Sequence, residues 1–316
     1  MKNYNLEELA EWAIGGSDYN RNEILGLPGY FLVVEIKENV PSVIKCERLA
    51  NGQMEQRQFS MFSMIEILCS KYQIPDLVFG YCGHDRSPDP NGPFFTHTRI
   101  KGSRGRNVLA PCFTFYGYPE RFPEIIKRYD QTWDELIQFN NKSRIKWEDK
   151  ENKCFFVGTV TEHNNRADNT SMSLDFGLDL EIINQSADWE GFMSRESLSK
   201  YKFLPHFNGH MGAFSARLKY LLGTEGFVIY NYNSGDQTNF WEEFWMKDDL
   251  FIDGHHFISA SNKLECQEKL KYYFENMEQA SQIASNGFSF FKEFLSPENI
   301  EKYWIALLTS YSKKLN

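Results

Sequence analysis

The stretch Tyr201 to Tyr232, Y-K-F-L-P-H-F-N-G-H-M-G-A-F-S-A-R-L-K-Y-L-L-G-T-E-G-F-V-I-Y-N-Y, admits few folds. A short apolar run, Tyr201 to Phe207, passes into a loop punctuated by Gly209 and Gly212. Phe214, Leu218, Leu221 and Leu222 then recur at the i, i+4, i+7, i+8 spacing of one buried helix face. Gly223 is a natural helix stop, and Gly226 leads into a second apolar run, Phe227 to Tyr232. The pattern predicts strand, glycine loop, helix and strand, a parallel βαβ unit. A glycine loop feeding a helix start offers unpaired N–H groups and the positive end of the helix dipole to an anion. Arg217 falls beside the buried stripe, where a charge needs a partner. A phosphate above the loop or a structural carboxylate would each supply it.

The rest of the chain is long enough for two such units. At 316 residues it suggests one large or two medium domains, and 41% hydrophobic with 16% aromatic content supplies their cores. A net charge of −9 without any Lys/Arg run argues against generic nucleic-acid binding. The amphipathic, acidic start has no apolar signal region, and no apolar run reaches the ~18 residues of a membrane helix. The six cysteines (46, 69, 82, 112, 154 and 266) form no C-x-x-C pair and read as free thiols of a reducing compartment. A cytoplasmic protein is expected.

Along the chain, residues 5 to 16 read as an amphipathic helix, and Tyr30 to Ile36 with Ser42 to Cys46 as a hairpin. Met61 to Tyr72 reads as a helix and Leu77 to Cys82 as a compact strand entering a loop at Gly83-His84-Asp85. Residues 86 to 108 form a Pro-, Gly- and Arg-rich loop of a length that is usually functional. Ala110 to Tyr116 is predicted as a strand, followed by a helix around 120 to 127. The polar segment Trp147 to Lys153 opens a second domain. Strands are then expected at Cys154 to Gly158 and Leu178 to Ile183, with a helix starting near Ser171 to Leu174. A further strand is expected at Leu250 to Ile252, with helices at about 263–276, 278–285 and 288–295. Ser296-Pro297-Glu298 is a helix start, serine as cap and proline in the first turn, and the helix carries Trp304, Leu307, Leu308 and Tyr311.

Two strand-to-loop junctions in the second half each combine glycine with arginine: Gly158…Arg166 and Gly209/Gly212…Arg217. In a parallel sheet both fall at the carboxyl edge, where ligands bind, and two arginines there could neutralise a diphosphate. The chain has neither G-x-G-x-x-G nor G-x-x-x-x-G-K-[ST]. Asp85, between His84 and Arg86, could be a general base or an ordinary solvated loop carboxylate. His206 and His210 stand four apart, but Pro205 and Gly209 argue against the helix that a metal pair of this spacing needs. His255-His256 reads as a solvated loop pair. Asp179-Leu180-Glu181 reads as structural, because strand side chains alternate faces.

Taken together, these residues resemble a known family. W-E-D-K-E-N-K-C-F-F-V-G-T-V-T-E-H-N-N-R (147 to 166) resembles W-E-K-K…F-F-R-G-S-R-T-S-x-x-R. K-Y-K-F-L (200 to 204) with S-A-R-L-K-Y-L-L (215 to 222) resembles K-Y-K-Y-L…S-x-R-x-K-x-L. P-D-L-V-F-G-Y-C-G-H-D (75 to 85) resembles L-P-D-x-x-x-x-x-N-x-x-D, and the ending from Ala284 resembles the family's usual one. The family is glycosyltransferase family ninety, which holds Rumi-like protein O-glucosyltransferases and fungal capsule xylosyltransferases. Two family arginines are valines here, Val157 and Val160, and Arg166 stands one residue later than a gap-free match.

The resemblance implies an α/β fold of GT-B architecture: two Rossmann-like domains facing a cleft, with the last helix returning to the first. Boundaries follow at 1–146, 147–296 and 297–316. It implies an inverting, metal-independent and cofactor-free transferase moving xylose or glucose from UDP-xylose or UDP-glucose to a glycan or glycoconjugate. Asp85 becomes the general base. Gly158, Thr159, Thr161, Arg166, Ala213, Phe214, Ser215 and Arg217 become the UDP-binding set. Glu243, in W-E-E-F-W, matches a W-x-E-F-F position and would touch the ribose or sugar, or be a structural pair. Outside the resemblance, the competing readings are a histidine-dependent metallohydrolase and a glycan-binding module without turnover.

Overall fold

The computed structural model describes residues 4–46, 52–84, 88–103, 105–115, 137–138, 141–142, 144–158, 180–184, 198–208, 215, 217–231 and 240–316. The chain divides into two units. Met1–Leu136, Glu242–Trp245 and Ser296–Asn316 form the first; Ile137–Trp241 and Met246–Leu295 form the second.

The first unit opens with helices α1 (Leu6–Ile14) and α2 (Arg21–Leu25), capped by Asn5 and Asn20, whose side chains accept from backbone N–H groups of the first turn. Strands β1 (Leu32–Lys37) and β2 (Val40–Lys45) form the expected antiparallel hairpin. Its two-residue turn needs positive φ, and Glu38 (51°) and Asn39 (63°) adopt it without glycine. Side-chain bonds hold the turn there: Asn39 Nδ2 donates to Cys69 O (2.7 Å), Asn39 Oδ1 accepts from Ile74 N (2.8 Å), and Asp76 Oδ1 accepts from Glu38 N (2.7 Å).

Helix α3 (Gly52–Lys71) begins well before the predicted Met61. Strand β3 (Leu77–Cys82) matches its predicted span and is buried at every position. The long loop that follows contains three two-residue strands, β4 (Phe95–Thr96), β5 (Arg99–Ile100) and β6 (Val108–Leu109). The sheet order is β2-β1-β3-β4-β6, with β3, β4 and β6 parallel. The strand predicted at Ala110 to Tyr116 is instead a 3₁₀ turn at Phe113–Phe115. Ala110 N still bonds Thr96 O, but Pro111 has no N–H to extend the ladder.

The second unit holds an all-parallel sheet of β7 (Glu151–Gly158), β8 (Leu180–Asn184), β9 (Tyr201–Phe207), β10 (Phe227–Asn231) and a final strand at Ile258–Ala260, preceded in sequence by the short β11 (Trp241–Glu242) and therefore named β12. The order is β12-β10-β9-β7-β8, every pair parallel. In chain order this is the 2-1-3-4-5 arrangement of a doubly wound sheet, whose direction of winding reverses between β7 and β9. The predicted βαβ unit is present: β9 and β10 pair in parallel, joined through α4 (Arg217–Leu222). Helices α5 (Lys263–Glu275) and α6 (Met277–Glu293) complete the core, in which Phe156, Phe203, Phe227 and Ile229 pack with Cys266, Leu270 and Ile283. Each large side chain buried in this way contributes roughly 1.5–3 kcal/mol.

Two expectations fail in this unit. Leu250 to Ile252 is a turn: Leu250 N and Phe251 N both bond Lys247 O, and Asp253 accepts from the N–H and hydroxyl of Ser259. The two helices predicted at 278–285 and 288–295 are the single α6. Gly287 is not a break but a place of close approach, because a Cβ there would lie 2.5 Å from His256 O and 3.1 Å from Leu222 Cδ2.

The chain re-enters the first unit twice. Residues 242–245 do so briefly, with Phe244 stacked on Tyr303 at 4.2 Å and Trp245 fully buried. Helix α7 (Pro297–Ser312) does so finally, capped by Ser296 with Pro297 in its first turn. It buries Tyr303, Trp304, Leu307, Leu308 and Tyr311, and Tyr303 Oη donates to Leu109 O at 2.7 Å. The chain end is tied down by Tyr19 N to Lys314 O (2.8 Å) and Asn316 N to Tyr19 O (2.8 Å).

Candidate active site

The carboxyl edge of the second sheet follows from strand register. Gly158 pairs with Asn184, and Asn231 pairs with both Phe207 and Ala260, so the carboxyl ends of the five strands lie on one edge. Ligands of doubly wound sheets sit at this edge where the winding reverses, here between the ends of β7 and β9.

On one side of that point β7 ends at Gly158. On the other, α4 begins with Arg217, half-buried, whose guanidinium Cζ lies 4.3 Å from the centroid of the Phe156 ring on β7. The ring face favours a cation and keeps the guanidinium over β7. Ser215, two residues before it, is also half-buried. The floor of the β9–β10 junction is closed by polar contacts. Tyr230 Oη donates to the buried Asn208 Oδ1, and the His206 ring sits edge-on to Tyr230 at 4.8 Å. Thr159, Thr161, Arg166, Ala213 and Phe214 lie outside the described residues.

The opposite, amino edge is held by a lysine that the sequence reading passed over. Lys150 is buried; its Nζ donates to Ser199 O and to Thr224 O (2.9 Å), tying together the entries to β7, β9 and β10. Burial lowers its pKa to about 8. Lys202 Nζ donates to Asn152 Oδ1 (2.6 Å) and lies 5.4 Å from the centre of the Trp147 ring. Segment 147–153 is polar in composition, yet Trp147 and Lys150 in it are buried. The thiols of Cys154 and Cys266 are pushed up by burial, Cys154 well above its ordinary value and Cys266 to about 12, which makes both inert.

In the first unit, the candidate base Asp85 lies outside the described residues. The chain leading to it is well fixed. Gly83 O accepts from Arg57 Nη1 at 3.0 Å, and the Arg57 guanidinium lies 4.4 Å from the Phe113 ring. Arg57 shares one face of α3 with Met61, Met64 and Leu68, so helical spacing could have revealed it had the helix been started early enough. The Glu243 carboxylate belongs to a residue only 4% exposed. Its neighbour Glu242 pairs with Arg99.

Among the described histidines, only His255 and His256 are neighbours, their rings edge-on at 4.6 Å. His206 is buried against Tyr230, and His210 is outside the described residues. Contrary to expectation His256 is buried: its ring stacks on Phe251 at 5.6 Å, and Nδ1 accepts from Ile252 N at 2.9 Å. Among the described residues, no group of three His, Cys, Asp or Glu side chains is arranged as metal ligands, and no helix is long and apolar enough to cross a membrane.

The family model described as glycosyl transferase family 90 matches residues 53–316. Protein O-glucosyltransferase 1 of Rattus norvegicus is 26% identical over 247 residues, covering 72% of this chain and 59% of that protein. The protein of the same name from Homo sapiens is 25% identical over the same shares. The chain thus matches less than two thirds of the length of these relatives. A solved glycosyltransferase structure from Rickettsia africae ESF-5 aligns with a TM-score of 0.33 and 15% identity, over 62% of this chain and 52% of that one.

Proposed function

Because the chain belongs to glycosyl transferase family 90, we propose that it transfers a sugar from a UDP-sugar to a hydroxyl of a glycan or glycoconjugate. The donor is UDP-glucose or UDP-xylose, the relatives' name favouring glucose. What supports a nucleotide at the second unit is the doubly wound order, with the end of β7 and the Arg217–Phe156 contact beside the reversal point.

In this reading the architecture is GT-B, and reaction inverts the anomeric centre. Asp85 takes the proton of the acceptor hydroxyl as its oxygen attacks the anomeric carbon. The bond to the β-phosphate oxygen breaks, and UDP departs with the bonding pair. Arg166, Arg217 and the backbone amides around Gly158, Thr159, Thr161 and Ala213–Ser215 meet the developing charge, with Phe214 against the nucleotide. Arginine supplies this neutralisation in place of a metal cation, and no resident cofactor takes part. Glu243 contacts the ribose or the sugar. None of the six cysteines is in a disulfide, which suits a reducing compartment, the cytoplasm.

The test is transfer from UDP-glucose and UDP-xylose to a panel of glycan and glycopeptide acceptors, followed by UDP release. Asp85→Asn should lower turnover by roughly 10²–10⁴ while leaving UDP affinity within about twofold. Unchanged turnover in that variant would remove Asp85 from the mechanism.

A further inference from the structure

In the first unit the Arg99 side chain is tied to two distant parts of the chain. Its Nε donates to Glu242 Oε1 at 2.9 Å, with the two side chains 11% and 5% exposed. Nη1 donates to Ala13 O at 3.1 Å and Nη2 to Trp12 O at 3.4 Å, and the guanidinium lies 4.5 Å from the Trp12 ring centre. The ion pair therefore clips residues 242–245 to the end of α1. Phe244, stacked on Tyr303 and edge-on to Phe115 at 6.0 Å, fixes the same four residues from the other side of the pair. Between these two anchors lies Glu243, a residue as buried as Glu242.

Burying a guanidinium and a carboxylate is no route to stability in itself, since an apolar pair of equal volume often serves as well. A bidentate-capable arginine held by three acceptors and a ring does fix geometry. We propose that Arg99 is a positioning residue: through Glu242 it sets the backbone of 242–245 and hence the place of the Glu243 carboxylate. This rests on the reading of Glu243 as a contact to the donor's ribose or sugar. A lysine at 99 could keep the charge but not the simultaneous bonds to Glu242, Ala13 and Trp12.

The experiment is a double-mutant cycle on steady-state kinetics with the UDP-sugar donor, using Arg99→Met, Glu242→Gln, Glu243→Gln and the double variant Arg99→Met/Glu243→Gln. Arg99→Lys serves if the methionine variant does not fold, and melting curves set an assay temperature at which each variant is native. The expected result is a donor KM raised about tenfold or more in Arg99→Met and Glu242→Gln, with kcat changed less, because a small displacement of a contact group is costly. The double variant should be no worse than Glu243→Gln alone, since both changes remove one contact. Wild-type KM in Arg99→Met and Arg99→Lys, or full additivity in the double variant, would overturn the proposal. So would a Glu243→Gln variant with unchanged KM. A wild-type protein that turns over no UDP-sugar would instead overturn the functional reading, and the assignment of Arg99 with it.

Discussion

The guanidinium of Arg217, at the start of α4, rests on the ring of Phe156, 4.3 Å from its centroid, and so links the helix after β9 to the strand on the other side of the sheet's reversal point. Phe156 belongs to the apolar core, so the ring is a fixed platform and the arginine's position follows from core packing. If this arginine meets the UDP diphosphate, Arg217→Lys should weaken UDP binding by roughly 10–100-fold, the effect of losing a charge-assisted bond, while the melting temperature falls little. Isothermal titration with UDP measures it. Equal affinity in the lysine variant would show that the platform has only a structural role.

Gly287→Ala should destabilise the second unit by about 1–3 kcal/mol. The added methyl would lie 2.5 Å from His256 O, a backbone atom that cannot move aside as a side-chain tip could. Urea unfolding checks this. A neutral or stabilising result, as expected of glycine to alanine in an unobstructed helix, would mean that α6 does not press on the 256 turn.

Lys150 gives a pH dependence with a definite sign. Its pKa in the folded protein, about 8, lies below the ordinary 10.5 because burial opposes the charge. Below pH 8 the protonated lysine is disfavoured by folding. As pH rises from about 8 to 10.5 the unfolded chain holds more protons than the folded one, and stability rises by something on the order of 3 kcal/mol. The buried thiols Cys154 and Cys266 act in the opposite sense, because their raised pKa values let the unfolded chain ionise first. The difference in unfolding free energy between wild type and Lys150→Met isolates the lysine, and it should rise across that window. A flat difference would contradict the assignment.

Tyr303→Phe should cost about 1–2 kcal/mol in global stability. Its hydroxyl is fully buried and donates to Leu109 O at 2.7 Å, so phenylalanine leaves that carbonyl without this donor while retaining the ring stack on Phe244. Chemical denaturation measures it, and a variant as stable as wild type would show that the carbonyl finds another donor.

Where hydrophobic period and punctuation agreed, the sequence was a good guide. Leu77–Cys82, the β9–α4–β10 unit and the Ser296-Pro297 start all rest on local signals: an apolar run between turns, glycines flanking a helical stripe, a cap followed by proline. The misreadings came from residues whose role is set by distant neighbours. The helix expected to stop at 285 runs on through Gly287, whose reason is His256 O, thirty-one positions away in sequence. Lys150 and Arg99 carry no local signal, because the carbonyls and carboxylate that accept from them belong to other elements. His256 looked solvated because the Phe251 ring that covers it is reached only by a turn. For the candidate site the sequence offers motif and spacing, and of the residues so named Gly158, Ser215, Arg217 and Glu243 lie among the described ones. The Arg217–Phe156 contact was not, since it depends on which strands become neighbours in the sheet.

The most direct test of the account is a thermal-shift panel of UDP, UDP-glucose, UDP-xylose, GDP and CMP on the wild-type chain, with and without EDTA. A ligand at about 100 times its Kd adds roughly 2.7 kcal/mol of stability, well within detection. Stabilisation is expected from the uridine diphosphates alone, unchanged by EDTA and reduced in Arg217→Lys. No shift with any uridine diphosphate, or a shift abolished by EDTA, would contradict it.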